Sequence, residues 1–212
     1  SQKGKKAAPN QDSAFFMQFV DGDGCPVWMA GVMDGHGPLG HEMSRLAIQW
    51  LPLLVLREPA MAREAGRIIP TDPQAVFDGI TAAFAKTGSL MLRASSGNLE
   101  REMSGTTCVF CLCARGVLHS AWVGDSRAVL GVVQSDSKSA FSLDLDTRGL
   151  TRDHKPDDLA ERKRIEARGG IVEQHRVWLP TWPHCGLNLS RSFGDSLAHA
   201  VGVSCVPDVA AS

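Results

Sequence analysis

The sequence lacks an excess of either charge: 22 Lys and Arg stand against 23 Asp and Glu, a formal net charge of -1 over 212 residues. That balance removes the long-range attraction on which nucleic-acid or anionic-membrane binding rests, so neither partner is expected. The basic cluster that does occur is Lys3, Lys5 and Lys6. Long apolar runs are missing as well. The longest helix-like one, Leu46 to Leu56, falls short of the roughly 20 residues a bilayer requires and holds Gln49 and Pro52. No signal-peptide pattern opens the sequence. The 6 cysteines show no Cys-x-x-Cys spacing. Cys111 and Cys113 share one face of a strand-like run, which predicts core thiols rather than a zinc site. A reducing compartment, cytoplasmic or nuclear, is the expected setting. Repeats and low-complexity linkers are absent too. A chain of 212 residues suits a single domain over 1–212, burying roughly 70% of its unfolded surface.

What is present centres on Asp34-Gly35-His36-Gly37. The apolar run from Val27 to Met33 reads as a buried strand stopped by glycine. The spacing Met43, Leu46, Ala47, Trp50, Leu51, Leu54 predicts a helix after it. Asp34 therefore sits at the mouth of a strand, where glycines let backbone and ligand approach closely. The Gly35 carbonyl is a further oxygen of the kind that hard cations such as Mg2+ and Mn2+ favour. Two blander readings compete. Asp-Gly is ordinary turn chemistry. Gly35-x-Gly37-x-x-Gly40 also matches a dinucleotide-binding pattern. Against the second, Asp34 would face a pyrophosphate with like charge, and a second strand ending in an acidic residue about twenty positions on is missing.

Asn10-Gln11-Asp12 immediately precedes an apolar strand, Ala14 to Val20, and Asp21-Gly22-Asp23-Gly24 is a hairpin turn into the Val27 strand. A tight hairpin brings Asp12 and Asp34 to one rim. Two carboxylates about 4 Å apart repel by roughly 1–4 kcal/mol in wet to partly shielded surroundings, and a divalent cation between them reverses the sign. Pro52 predicts a kink or stop near Leu51. Thr71-Asp72-Pro73 starts a second helix that buries Phe77, Ile80, Phe84 and Met91. Beyond Ser104-Gly105 the period changes. Thr106 to Ala114, Val117 to Val123 and Arg127 to Val133 read as an antiparallel meander, which opposes a Rossmann domain. Asp125 stands at a hairpin tip as a third exposed carboxylate or as plain turn chemistry. Gly124-Asp125-Ser126-Arg127-Ala128 is a poor nucleophile elbow, since it leads into a strand and ends in Ala. Ser139 to Leu145 reads as another strand. A short charged helix after Pro156 ends at Gly169-Gly170, Val177 to Cys185 reads as an irregular loop, and Gly186 to Ser192 is strand-like. His154, His175, His184 and His199 keep no metal-ligand spacing, so structural or solvated roles are expected.

Several blocks together resemble the metal-dependent protein phosphatases of the PP2C family. They are Asn10-Gln11-Asp12, Asp34-Gly35-His36-Gly37, Ser104-Gly105-Thr106-Thr107 and Gly124-Asp125-Ser126-Arg127-Ala128, then Leu150 through Pro156, Arg168-Gly169-Gly170 and Leu189 through Asp195. The resemblance implies an α+β fold, an αββα sandwich of two antiparallel sheets flanked by helices. It implies hydrolysis of phosphoserine and phosphothreonine in phosphorylated protein substrates, with two or more Mn2+ or Mg2+ ions. By position, Asp12, Asp34 and the Gly35 carbonyl match metal ligands and Asp125 an additional metal carboxylate. His36 matches the general acid that protonates the leaving oxygen, a task imidazole suits near neutral pH. The family commonly carries a phosphate-gripping Arg shortly before the first Asp. Ala7 stands near that place, so Lys5 or Lys6 would substitute, as point charges rather than forks. The family's last strands, with later Asp-Gly and Asp-Asn blocks that supply two more metal carboxylates, are expected to be missing from these residues. The alternatives that follow are a piece of a longer phosphatase or a catalytically degenerate, phosphatase-like interaction domain.

Overall fold

The computed structural model describes residues 9–61, 67–133, 145–180 and 182–212. In chain order the elements are β1 (Asp12–Val20), β2 (Pro26–His36), α1 (Gly40–Arg57), α2 (Pro73–Ser95), α3 (Leu99–Glu102), β3 (Gly105–Thr106), β4 (Cys108–Ala114), β5 (Val117–Val123) and β6 (Val129–Val133). They continue with β7 (Leu145–Gly149), α4 (Leu159–Ala167), β8 (Ile171–Glu173), β9 (Arg176–Leu179), β10 (Trp182–Leu187), β11 (Phe193–Gly194), α5 (Ser196–Ala200) and β12 (Asp208–Ala211).

The largest sheet has seven strands in the order β11-β3-β2-β4-β5-β12, with β1 also paired to β2. The strands β8, β9 and β10 form a second sheet, and β6 with β7 a third. Every pairing between these strands is antiparallel. This α+β arrangement of antiparallel sheets and helices is the class expected from sequence. Alternation along β2 and β4 sends Val27, Met29, Met33, Cys108, Phe110 and Leu112 to one face, where they join Met43, Ala47, Leu51, Ile80, Phe84 and Met91 of α1 and α2 in the core. The other face of β1 and β2 exposes Phe16, Val20, Trp28 and Val32.

Helix α1 does not stop near Leu51; it runs through Pro52 to Arg57. The lost helical bond is offset because Met43, Ala47, Leu51 and Val55 are all completely buried. Helix α2 starts as its capping residues require, with Asp72 Oδ1 accepting from Gln74 N at 3.1 Å and Pro73 at the first position. Val177 to Cys185 is not a loop: it contributes to β9 and β10, whose prolines and tryptophans hide the period of two. The strand-like run from Gly186 ends at Leu187, and Phe193–Gly194 forms the short β11 instead. Cys111 and Cys113 do share a face, but it is the one away from the helices, where both are half-buried rather than in the core. Of the strand expected over Ser139 to Leu145, residues 139–144 lie outside the described residues.

Candidate active site

The start of β1 and the end of β2 meet in register, with Asp12 directly opposite Asp34. Opposed residues of an antiparallel pair stand about 4.5–5.5 Å apart at Cα, so the two carboxylates share one rim. Both residues are solvent-exposed. Partial burial and then the neighbouring negative charge of Asp12 push the Asp34 carboxyl above the ordinary carboxylate range. Asp125 pushes in the same direction, so the turn after β5 brings a third carboxylate toward this rim.

Backbone pairing fixes the rest. The Gly35 amide donates to the Gln11 carbonyl at 3.2 Å, and Gln11 Nε2 donates to the Gly37 carbonyl at 3.0 Å. A Cβ on Gly35 would lie 2.2 Å from the Gly40 carbonyl oxygen, so only glycine fits there. Thr107 clamps Asp34 from its other side, donating its amide to the Asp34 carbonyl at 2.9 Å and accepting the Asp34 amide on Oγ1 at 3.0 Å. The Thr107 hydroxyl also meets Ser126 Oγ at 2.6 Å. The Asp125 turn is thereby tied to the end of β2.

The segment Asp153-His154-Lys155 folds onto that same turn. Gly124 N donates to His154 Nδ1 at 3.1 Å, Arg127 grips Asp153 through Nε and Nη2 at 2.7 and 3.0 Å, and Lys155 Nζ pairs with Asp125 Oδ2. His154 is buried and stacked on Trp122, a structural role of the kind expected.

His36 has a partner that sequence reasoning did not assign. The ends of β2, β3 and β11 pair in series, His36 with Gly105 and Gly105 with Gly194, so the next residue, Asp195, arrives beside the imidazole. Asp195 Oδ2 lies 2.7 Å from His36 Nε2 and accepts from Ser192 Oγ at 2.6 Å. Asp195 is held at φ +45°, a left-handed conformation that Asp tolerates better than most side chains. A Cβ on Gly105 would fall 2.1 Å from Asp195 Oδ2, so glycine there leaves room for the carboxylate. Burial opposes charge on both groups. For His36 the attraction of Asp195 outweighs it and raises the imidazole above its usual range; for Asp195 the His36 charge and the Ser192 bond hold the carboxyl below its own. The pair sets a buried carboxylate against the imidazole, and their mutual attraction favours the charged form of each.

Lys5 and Lys6, the expected phosphate grip, lie outside the described residues. Among the described residues no group of three or more His, Cys, Asp or Glu side chains is gathered closely enough to hold a metal by itself. The candidate donors at this rim are all oxygens: Asp12 and Asp34 face each other in register, the Gly35 carbonyl follows Asp34 in the chain, and the charge of Asp125 is felt at Asp34. They suit a hard divalent cation, which would relieve the repulsion between Asp12 and Asp34. A dinucleotide site does not fit, because β2 is antiparallel to every strand it pairs with.

The family profile Protein phosphatase 2C matches residues 27–212. The chain belongs to the protein phosphatase 2C family. It is 35% identical to "Probable protein phosphatase 2C 64" of Oryza sativa subsp. japonica over 215 residues, covering 98% of this chain and 47% of that protein. It is 31% identical to "Probable protein phosphatase 2C 65" of Arabidopsis thaliana over 216 residues, covering 98% of this chain and 56% of that protein. The chain thus spans about half the length of these relatives. Its fold is shared with the serine-threonine phosphatase 2C from Toxoplasma gondii, at TM-score 0.70 and 21% identity over 95% of this chain and 73% of that one. In this phosphatase 2C chain the blocks that hold Asp12, Asp34, Thr107, Ser126 and Asp195 are the strand ends and turns around Asp34 and His36, whereas Arg168-Gly169-Gly170 closes α4 against Ile165.

Proposed function

We propose that this phosphatase 2C chain carries the part of a protein serine/threonine phosphatase that cleaves phosphate from phosphoserine and phosphothreonine with the help of Mn2+ or Mg2+. The observation that carries the reading is the register pairing of Asp12 with Asp34, with the His36–Asp195 pair next to it on the same strand end. Asp12, Asp34 and the Gly35 carbonyl would hold divalent cations, and Asp125 would add charge to the same rim. Bound there, such ions would lower the pKa of a water enough to make hydroxide available for attack on phosphorus at neutral pH, and would offset the charge of the phosphate oxygens. His36 then acts on the other side of the phosphorus. With Nε2 committed to Asp195, Nδ1 is the ring nitrogen that delivers a proton to the leaving serine or threonine oxygen. Asp195 keeps that ring oriented and charged, so the proton is available when the P–O bond breaks. Lys5 and Lys6 are proposed to grip the phosphate. The substrates are phosphorylated proteins of the cytoplasm or nucleus. Neither nucleic acid nor a membrane is a partner in this reading; among the described residues no helix is long and apolar enough to cross a bilayer.

The test is phosphate release from a phosphoserine peptide with Mn2+, then with excess EDTA, then with Asp34→Asn. Release should fall by at least about a hundredfold in each case, the scale on which removing a catalytic metal or proton donor acts. Release that survives both treatments removes the metal-dependent reading.

A further inference from the structure

A cavity of about 220 Å³ opens beside His36. Met103, Leu179, Leu187, Leu197 and Ala198 give it apolar walls, and His36 and Asp195 line it as well. Asp12, Asp34 and Asp125 are not among its lining residues. Its charged members are already engaged. Arg176 Nη1 donates to the Gly186 carbonyl at 2.6 Å, the Glu102 carboxylate accepts the Gly97 amide at 3.0 Å, and Asp195 is held by His36 and Ser192. Such a cavity has little to offer an ion and suits an uncharged, apolar guest.

We propose that this cavity receives an apolar side chain of the phosphoprotein substrate, lying within two residues of the phosphorylated position and always on the same side of it. The proposal rests on the phosphatase reading above. In that reading the leaving oxygen sits at His36, so phosphate occupies the carboxylate side and the peptide departs on the other. The cavity shares the His36 wall and is lined by none of Asp12, Asp34 and Asp125, which puts it away from the carboxylate side. An extended chain advances about 3.3–3.6 Å per residue, so a neighbour one or two places away reaches the opening. The size fits as well. An engineered apolar cavity of about 150 Å³ takes up benzene, whereas sites for whole small molecules run to roughly 300–1,000 Å³. A space of about 220 Å³ accommodates one aliphatic or aromatic side chain.

The experiment uses two matched peptide series with Leu, Phe, Lys or Asp placed in turn at each flanking position. One series bears phosphoserine and is assayed for phosphate release. The other bears a non-hydrolysable phosphonate, and its binding is followed by fluorescence anisotropy in the presence of Mn2+. Leu or Phe on one side should bind at least about tenfold more tightly than Asp there, the discrimination a hydrophobic pocket delivers. On the other side the residue should not matter. Leu179→Asp should lower the preference for Leu and raise that for Lys at the same position, and Leu179→Ala should weaken it without inversion. The wild-type preference stands as a test even if either variant folds poorly. Equal binding of all peptides overturns the proposal, as does a preference that Leu179→Asp leaves intact. So does toluene raising the melting temperature with no peptide preference, which would assign the cavity to free small molecules. A binding preference without any turnover would leave the pocket assigned and remove the phosphatase reading instead.

Discussion

Glu161 joins three segments that are far apart in the chain, and the strength of that joint can be worked out. Its carboxylate accepts from Arg164 Nη2 at 2.8 Å on the same helix and from Arg191 Nε and Nη2 at 3.1 and 2.7 Å. Arg191 also reaches Asp208 Oδ1, at the start of β12, at 2.8 Å. The Glu161 side chain is 5% exposed and that of Arg191 16%. Burial pushes the carboxyl up, but the two guanidinium groups bring it down from 4.5 to about 2. At 1.36 kcal/mol per pH unit this gap is worth about 3 kcal/mol of folding stability at neutral pH. The folded value is the depressed one, so the stabilisation is complete above the unfolded value of 4.5 and is lost as pH falls toward about 2. At pH 3 the unfolded chain is almost fully protonated at this position while the folded one is not, and about 2 kcal/mol has gone. Glu161→Gln removes the charge at every pH, leaving Arg164 without its anion and Arg191 with Asp208 alone. Urea denaturation should show the variant about 3–5 kcal/mol less stable at pH 7, the usual cost of breaking a buried pair from one side. The gap between wild type and variant should then close by about 2 kcal/mol between pH 7 and pH 3. A gap that stays constant across that range would show that Glu161 is not held ionised by its arginines, and the reasoning would fail.

Asp195→Asn should cut kcat on a phosphoserine peptide by about 10²–10⁴, the share a proton donor supplies, yet cost less than about tenfold on a nitrophenyl phosphate, whose acidic phenol leaves without a proton. Equal losses on both substrates would assign Asp195 to folding alone. Lys155→Met frees the Asp125 carboxylate from its paired ammonium. Calorimetric titration should show Mn2+ binding up to about fivefold more tightly, since partly exposed ion pairs are worth about 0–1 kcal/mol. Weaker binding in the variant would mean that Lys155 holds Asp125 in place rather than competing with the ion.

Much of the site was legible because β2 and its hairpin are local. Asp21-Gly22-Asp23-Gly24 sets a short connection, the apolar runs on either side set the register, and Asp12 falls opposite Asp34 as a consequence. Elements with a clean period and a cap, such as α2, were equally readable. The partner of His36 was not. Asp195 lies 159 positions away, and only the pairing of β2, β3 and β11 brings it there. A signal existed in Gly194-Asp195, a glycine and a carboxylate ending one of the recurring blocks, but periodicity cannot say what a turn faces. The pairing of Lys155 with Asp125 escaped for the same reason, across 30 positions. The strands β9 and β10 were missed because two tryptophans and two prolines in Val177 to Cys185 obscure alternation.

The placement of Asp195 answers a difficulty built into this strand end. Side chains two apart on a strand point to the same face, so Asp34 and His36 stand side by side with Gly35 between them. In the proposed reaction their proton requirements oppose each other: Asp34 would have to be ionised to hold a cation, while His36 would have to stay protonated to serve a leaving group. A cation held at Asp34 as proposed would bring positive charge close to His36, and that charge would favour the neutral imidazole. The Asp34 and Asp125 carboxylates also raise His36, and cations bound as proposed would weaken that help. A carboxylate that keeps the imidazole charged must therefore be one the cations do not reach. Asp195 meets that condition: it is buried, lies 2.7 Å from His36 Nε2 and comes from the turn after β11, not from the ends of β1 and β2 that carry the proposed metal carboxylates.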